Sequence, residues 1–226
     1  MGAYFSTEET RKRFLSSFPE GMGALAHCLW NEIVHLHLVW KNYRILFGTS
    51  PERIDLLNRT APVFFALLER ALRHDVIMRI ARLTDPPCSD RAGKKANASL
   101  QRLIADLDPY LDAEFTAELR LEMQELQERC KPIRNLRNKL LAHPDLAAML
   151  LKYRLEPLPG ISRADIEEML EKIRGLMGKI EKRFLGGVTQ YQDTVTIGDA
   201  EALVVALERA QEQVQALYRR RRLDAV

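Results

Sequence analysis

The sequence predicts an all-α protein, and three observations support this fold class. Apolar residues recur every three or four positions through most of the 226-residue chain, which is the period of an amphipathic helix. Proline, glycine and serine interrupt this pattern where helices should end or begin. Alternation typical of a strand occurs only at residues 187–197, and one short strand forms no sheet. We therefore expect an antiparallel helical bundle with a C-terminal helical hairpin, in which residues 187–197 form an extended arm or a small hairpin.

The predicted helices follow one another from residue 23 to residue 222. The first covers residues 23–47, and Ser50 should cap the next helix because its hydroxyl can accept a backbone N–H. Pro51 suits the first helical position. Pro62 should kink or split this segment, which leaves the second main helix at residues 62–85. Further helices are predicted at residues 98–107, 112–142, 162–185 and 199–222.

Local signals subdivide the second half of the chain. Pro132 should kink or split the helix at residues 112–142, so that the segment after it forms a short piece of its own. Ser162 with Asp165 is a capping signal at the start of the following helix. We expect residues 1–185 to form the bundle, and residues 186–226 to form an arm and a helix packed on the same domain.

Composition restricts the class of protein. The net charge of +3 comes from 34 basic and 31 acidic residues, so any RNA binding must use a local patch. Cys28, Cys88 and Cys130 are widely spaced and form no C-x-x-C pair, which argues against disulfides and zinc and fits a reducing cytoplasm. The sequence shows neither the apolar run of a signal peptide nor the ~20 apolar residues of a membrane helix. We expect a cytoplasmic protein that uses no metal or cofactor.

Residues 134–145 hold the most informative chemistry. Pro144 pushes His143 out of the α region, so the helix should end at or just before the histidine. Arg137 precedes His143 by six residues, which a straight helix would place ~120° apart in azimuth. A break at Pro144 frees His143 to turn back towards Arg137. A cation and a titratable imidazole in one pocket suit chemistry on a phosphodiester.

Arg134 lies three residues before Arg137, on the same helical face. Two cations so placed can address one phosphate. The alternative is that both arginines complement the dipole at a helix C-terminus.

The same segment resembles the signature of the HEPN superfamily, which is an arginine, a polar residue, and a histidine after four to six intervening positions. Arg137, Asn138 and His143 fit this pattern, with five residues between the arginine and the histidine. Residues 30–48 and 64–85 resemble the first two helices of the abortive-infection (AbiU-like) branch. The second of them ends in the Ala-Arg-Leu-Thr-Asp run that is typical of the branch.

This resemblance implies a metal-independent endoribonuclease of toxin or phage-defence type. His143 would act as general base or acid, Arg137 would stabilise the phosphorane, and Asn138 would orient the substrate or the histidine. Arg134 is the expected substrate-binding residue.

The resemblance also bears on partners. One histidine cannot easily serve as base and acid, so a homodimer with two facing sites is expected, together with RNA and an antitoxin protein as partners. The alternative function is a catalytically inactive module that binds a partner protein or a nucleotide.

Other polar groups favour structural interpretations. Glu32 and His35 match half of a di-iron motif, but no second Glu-x-x-His exists in the sequence. Arg82 with Asp85 should form a salt bridge that closes a helix end, although a supporting role beside Arg137 is an alternative.

Aromatic and basic residues also favour structural interpretations. We expect four aromatic residues in the core rather than as base-stacking platforms, namely Trp30, Trp40, Phe64 and Phe65. The Arg219–Arg222 cluster could contact RNA phosphates, but it more often marks a solvated helix end.

Overall fold

A computed structural model of the chain describes residues 7–88, 95–138, 161–193 and 197–223. These residues are mainly helical and include no strand, which confirms the all-α fold class. The helices are α1 (Glu8–Ser17), α2 (Met22–Phe47), α3 (Pro51–Thr60), α4 (Pro62–Leu83), α5 (Leu100–Leu107), α6 (Ala113–Arg129), α7 (Lys131–Leu136), α8 (Arg163–Leu185) and α9 (Ala200–Leu223). Short 3₁₀ turns occur at Asp108–Tyr110 and Tyr191–Asp193.

Side-chain caps begin two helices where the sequence predicts them. The Ser50 hydroxyl accepts the backbone N–H of Arg53, and Pro51 occupies the first position of α3. At the start of α8, the Ser162 hydroxyl accepts the Asp165 N–H while the Asp165 carboxylate accepts the Ser162 N–H. Both predicted caps are confirmed.

The break predicted at Pro132 is also confirmed. Only Cys130, with φ −82° and ψ −2°, separates α6 from α7. Pro132 lies in the first turn of α7, where a missing N–H removes no intrahelical hydrogen bond. The break leaves Arg134 on a helix of six residues and Arg137 directly after its end.

Two features differ from the sequence predictions, and a third stays a prediction. The segment predicted as an extended arm or a small hairpin includes residues outside the described ones, and its described part contains the 3₁₀ turn Tyr191–Asp193. Helix α1, whose buried residue is Phe14, was not predicted. Phe64 was expected in the core but is 58% exposed, whereas Phe65 is 5% exposed. Neighbouring residues on a helix point ~100° apart, so only one of these two rings can face inward.

The chain divides into two compact units. The first unit consists of Met1–His37 and His74–Tyr191. The second unit consists of Leu38–Arg73 and Gln192–Val226. In the first unit, α6 packs on α5 and α8, and α1 packs on α8. Its buried side chains include Leu103, Leu107, Leu119, Met123, Leu126, Leu170, Ile173 and Met177. In the second unit, α9 packs on α3. The core of that unit contains Leu46, Leu56, Leu57, Phe65, Ala200 and Val204.

A buried carboxylate holds the chain just beyond α8. Glu181 is 1% exposed and accepts hydrogen bonds from the Thr189 N–H at 2.8 Å, the Thr189 hydroxyl at 3.0 Å and the Tyr191 hydroxyl at 2.6 Å. The indole N–H of Trp30 donates to the same Thr189 hydroxyl at 2.8 Å. These bonds to Glu181 offset the desolvation of its charge. Burial and the Glu181 charge raise the pKa of Tyr191 well above its usual value, so its phenol remains a donor.

His37 stacks on Tyr191, with the ring centroids 5.7 Å apart. Burial, and to a smaller extent Arg174, lowers the pKa of His37 from 6.5 to about 4. Since the folded pKa lies below the unfolded one, the unfolded chain binds more protons between these two values. The stability that neutral His37 contributes is therefore complete above pH 6.5 and is lost as the pH falls towards 4.

We expect the His37→Leu variant to lose this pH dependence. In the wild type, protonation of His37 should lower the free energy of unfolding by roughly 3 kcal/mol between pH 6.5 and 4, because each pKa unit corresponds to about 1.4 kcal/mol. Urea unfolding of both proteins at several pH values across this range measures the difference. Parallel pH profiles would show that His37 does not titrate as described.

Candidate functional site

The chain just beyond α4 meets α7 through two arginines. Nη1 of Arg137 lies 2.8 Å from each carboxylate oxygen of Asp85. Nη2 of Arg134 donates to the Thr84 carbonyl at 3.0 Å. Both contacts join residues at least fifty positions apart in sequence. They hold the Arg134–Arg137 segment against the end of α4.

The ion pair between Arg137 and Asp85 is partly sheltered from solvent. The side chains are 19% and 17% exposed, so their attraction is screened less than that of a surface pair. Nε of Arg137 also donates to Oδ1 of Asn138 at 3.0 Å. Two of the three guanidinium nitrogens are thereby held. Nη2 makes no hydrogen bond to a described residue.

Arg134 has a structural contact as well as a charge. The Thr84 carbonyl lies beyond the last residue of α4, where carbonyl groups lack intrahelical partners, and the guanidinium satisfies it. Nε of Arg134 is buried and has no partner among the described residues. The adjacent Cys130 thiol has its pKa raised to about 11, mainly by burial, so it is protonated and a poor nucleophile.

The structure brings together three of the four residues predicted for the site. Arg134, Arg137 and Asn138 lie on one short segment, and Asp85 joins them from the end of α4. His143 lies outside the described residues. The catalytic and substrate-binding roles of these residues remain predictions.

The predicted salt bridge between Arg82 and Asp85 is wrong. Asp85 binds Arg137, while Nη2 of Arg82 lies 3.5 Å from a carboxylate oxygen of Glu32. Helix α4 ends at Leu83, so Asp85 no longer follows the helical spacing that would face it towards Arg82. Asp85 is the last residue of the Ala-Arg-Leu-Thr-Asp run, and this run was the sequence signal that could have identified it.

Glu32 and His35 lie beside arginines of α4. Glu32 accepts a bond from Arg79 at 2.7 Å, and Arg79 also binds Asp75 at 2.8 Å. Burial, followed by the charge of Arg79, lowers the pKa of His35. No group of three or more potential metal-ligating side chains occurs in the described part of the chain. In the same part, no helix is long and apolar enough to cross a membrane.

Comparison with known families gives one match. The family model HEPN_AbiU2, described as AbiU2, matches residues 20–203. The match spans most of the chain and includes every residue predicted for the site. Searches of curated proteins and of solved structures gave no match.

We expect Arg134→Ala to destabilise the fold more than Arg82→Ala. Arg134 makes a charged hydrogen bond to a helix-end carbonyl, and its loss should lower the free energy of unfolding by ~1.5–3 kcal/mol. Arg82 is 53% exposed and its pair with Glu32 is long, so its loss should cost less than ~1 kcal/mol. Urea unfolding compares the two variants. Equal destabilisation would mean that the Arg134 contact contributes little.

Proposed function

The chain belongs to the AbiU2 family of HEPN proteins, an abortive-infection family, and on this premise we propose that it is a metal-independent endoribonuclease. The observation that carries the proposal is the constraint on Arg137. Its guanidinium is held by Asp85 and Asn138, while Nη2 makes no bond within the described residues. A positioned cation suits a phosphate whose negative charge grows during the reaction.

The proposed reaction is an attack by the ribose 2′-hydroxyl on the adjacent phosphorus. A base removes the 2′ proton as the P–O2′ bond forms, and an acid protonates the 5′-oxygen as the P–O5′ bond breaks. The products are a 2′,3′-cyclic phosphate and a 5′-hydroxyl. His143 is the proposed base or acid, because imidazole titrates near neutral pH. The nucleophile belongs to the RNA, so the mechanism requires no metal-bound water.

Arg137 is the proposed stabiliser of charge on the phosphorane. Nη1 on Asp85 and Nε on Asn138 together orient the guanidinium, and Nη2 is proposed to donate to the phosphate oxygens. Asn138 is proposed to orient the substrate or the histidine while it accepts the bond from Nε. Arg134 is proposed to add a second positive charge towards the RNA backbone.

The activity should depend on Arg137 and His143 but not on divalent cations. We expect purified wild-type protein to cleave labelled single-stranded RNA in the presence of EDTA. Arg137→Ala and His143→Ala should lower kcat by at least ~100-fold, the scale of losing one positioned donor. Arg137→Lys should also be impaired, because an ammonium keeps the charge but loses the planar fork. Denaturing gels measure cleavage, and circular dichroism checks that each variant is folded.

Two controls separate the site from general charge effects. Arg82→Ala removes an exposed arginine of α4 and should cleave like the wild type. Asp85→Asn keeps the shape of the carboxylate but loses its charge, so turnover should fall while RNA affinity does not. If Arg137→Lys and Arg137→Ala both cleave like the wild type, the site is wrongly assigned. Wild-type protein that leaves RNA intact would favour the alternative, an inactive module that binds a protein or a nucleotide.

We also propose that the active form is a homodimer. Each chain offers one histidine at the proposed site, whereas the reaction needs a base and an acid, so two facing sites would supply both. Light scattering at micromolar concentration should give twice the mass of 26.0 kDa. A monomeric mass under conditions of full activity would contradict this arrangement.

A further inference from the structure

A groove in the first unit lies between α5 and α6, next to the loop that follows Asp85. Its volume is about 360 Å³, near the lower limit for small-molecule sites. Ile104 and Met123, both 3% exposed, contribute apolar surface. The other lining residues are Pro87, Gln101, Ala105, Arg120, Gln124 and Gln127.

The groove is connected to the candidate site by a fixed stretch of backbone. Pro87 lines the groove and follows Asp85 by two residues, so their Cα atoms are at most ~7 Å apart. Asn97 holds this stretch, because its side-chain amide donates to the Pro86 carbonyl and its backbone N–H donates to the Pro87 carbonyl, both at 2.8 Å. The backbone at one wall of the groove therefore lies within ~7 Å of the backbone of Asp85, which contacts Arg137.

Three side-chain amides provide the hydrogen-bonding groups of the groove. The amide of Gln127 donates to the carbonyl oxygen of Gln101 at 2.7 Å, with both side chains partly buried. Whichever way this pair is oriented, it leaves one NH₂ group and one carbonyl oxygen for a ligand. Gln124 is exposed and adds a third amide. The groove thus offers both donors and acceptors.

Amide and apolar side chains dominate the part of the groove that the structure describes. Among its described lining residues, Arg120 is the one charged side chain, it is 60% exposed, and it is paired with Asp108 at 2.9 Å. Amides beside apolar side chains suit a flat, uncharged group that carries donors and acceptors on its edge. Nucleobases have this chemistry, and proteins read unpaired RNA bases through such edges.

We propose that this groove binds one unpaired RNA base next to the phosphodiester at Arg137, which makes the glutamines determinants of nucleotide preference. The proposal rests on the ribonuclease function proposed above and extends it to the choice of cleavage position. Arg137 addresses the phosphate, whereas Gln101, Gln124 and Gln127 read the neighbouring base. Since the volume accommodates one base rather than a helical stem, the preferred substrate is single-stranded at that position.

The test compares cleavage of four oligoribonucleotides that differ only in the base beside the single cleavable position. We expect the wild type to prefer one base by ~10-fold or more in kcat/KM, because unsatisfied amides penalise the wrong edge. Gln124→Leu and Gln127→Leu should reduce this preference to within ~3-fold. Gln213→Leu, at an exposed glutamine of α9 in the second unit, is the matched control and should keep the full preference.

Failure of this inference can be told from failure of the proposed function. If the wild type cleaves RNA and all three variants keep its base preference, the groove is not the base site but the ribonuclease proposal stands. Gln124 is exposed, so its variant provides this answer even if Gln127→Leu fails to fold.

Fluorescence anisotropy of the same oligonucleotides, labelled and mixed with the His143→Ala protein, measures base-selective binding without cleavage. If the wild type does not cleave RNA, the ribonuclease proposal is overturned. If the protein nevertheless binds one base selectively and Gln124→Leu abolishes this selectivity, the groove is supported as the base-binding site. Absence of both binding and cleavage would overturn both.

Discussion

The ion pair between Arg137 and Asp85 is the constraint on which the site depends. It connects two parts of the chain 52 residues apart, one just past α4 and one just past α7. Because both side chains are mostly sheltered, removing either would leave an uncompensated charge, so the two segments are held in register. Arg134 lies one helical turn before Arg137 and donates to the carbonyl of Thr84, the neighbour of Asp85. This second contact restrains the rotation of α7 about the ion pair.

In the proposed reaction, the same carboxylate would have two opposing effects on the phosphate. Asp85 would orient the guanidinium, which favours a transition state of defined geometry, but its negative charge would also weaken the attraction of Arg137 for anions. The chain as a whole carries only +3, so no general field compensates for this loss. The proposed binding of RNA would therefore depend on local groups. The amides beside Pro87 suit that proposal, because hydrogen bonds to a base do not depend on net charge.

Polar side chains in this protein differ in how much of their hydrogen-bonding capacity the described residues use. Glu181 is almost fully buried and receives three hydrogen bonds, and Glu32 is engaged by arginines of α4. Such groups determine shape, since their bonding capacity is used within the fold. Arg137 and the glutamines of the groove keep donors or acceptors that the described residues do not use. The proposals above assign these remaining donors and acceptors to RNA.

Local signals in the sequence determined the helices from α2 onward and the position of the short arginine segment. The caps at Ser50 and Ser162 and the break at Pro132 each follow from contacts within four residues, which is why they could be read without a structure. The motif also named Arg137 as a candidate, and the structure shows that its guanidinium contacts Asp85. The partner of Asp85 was decided only by the tertiary structure, because the end of α4 turned Asp85 away from Arg82 and towards a residue 52 positions later. The amide groove likewise arises from the packing of α5 on α6, and no spacing within either helix encodes it.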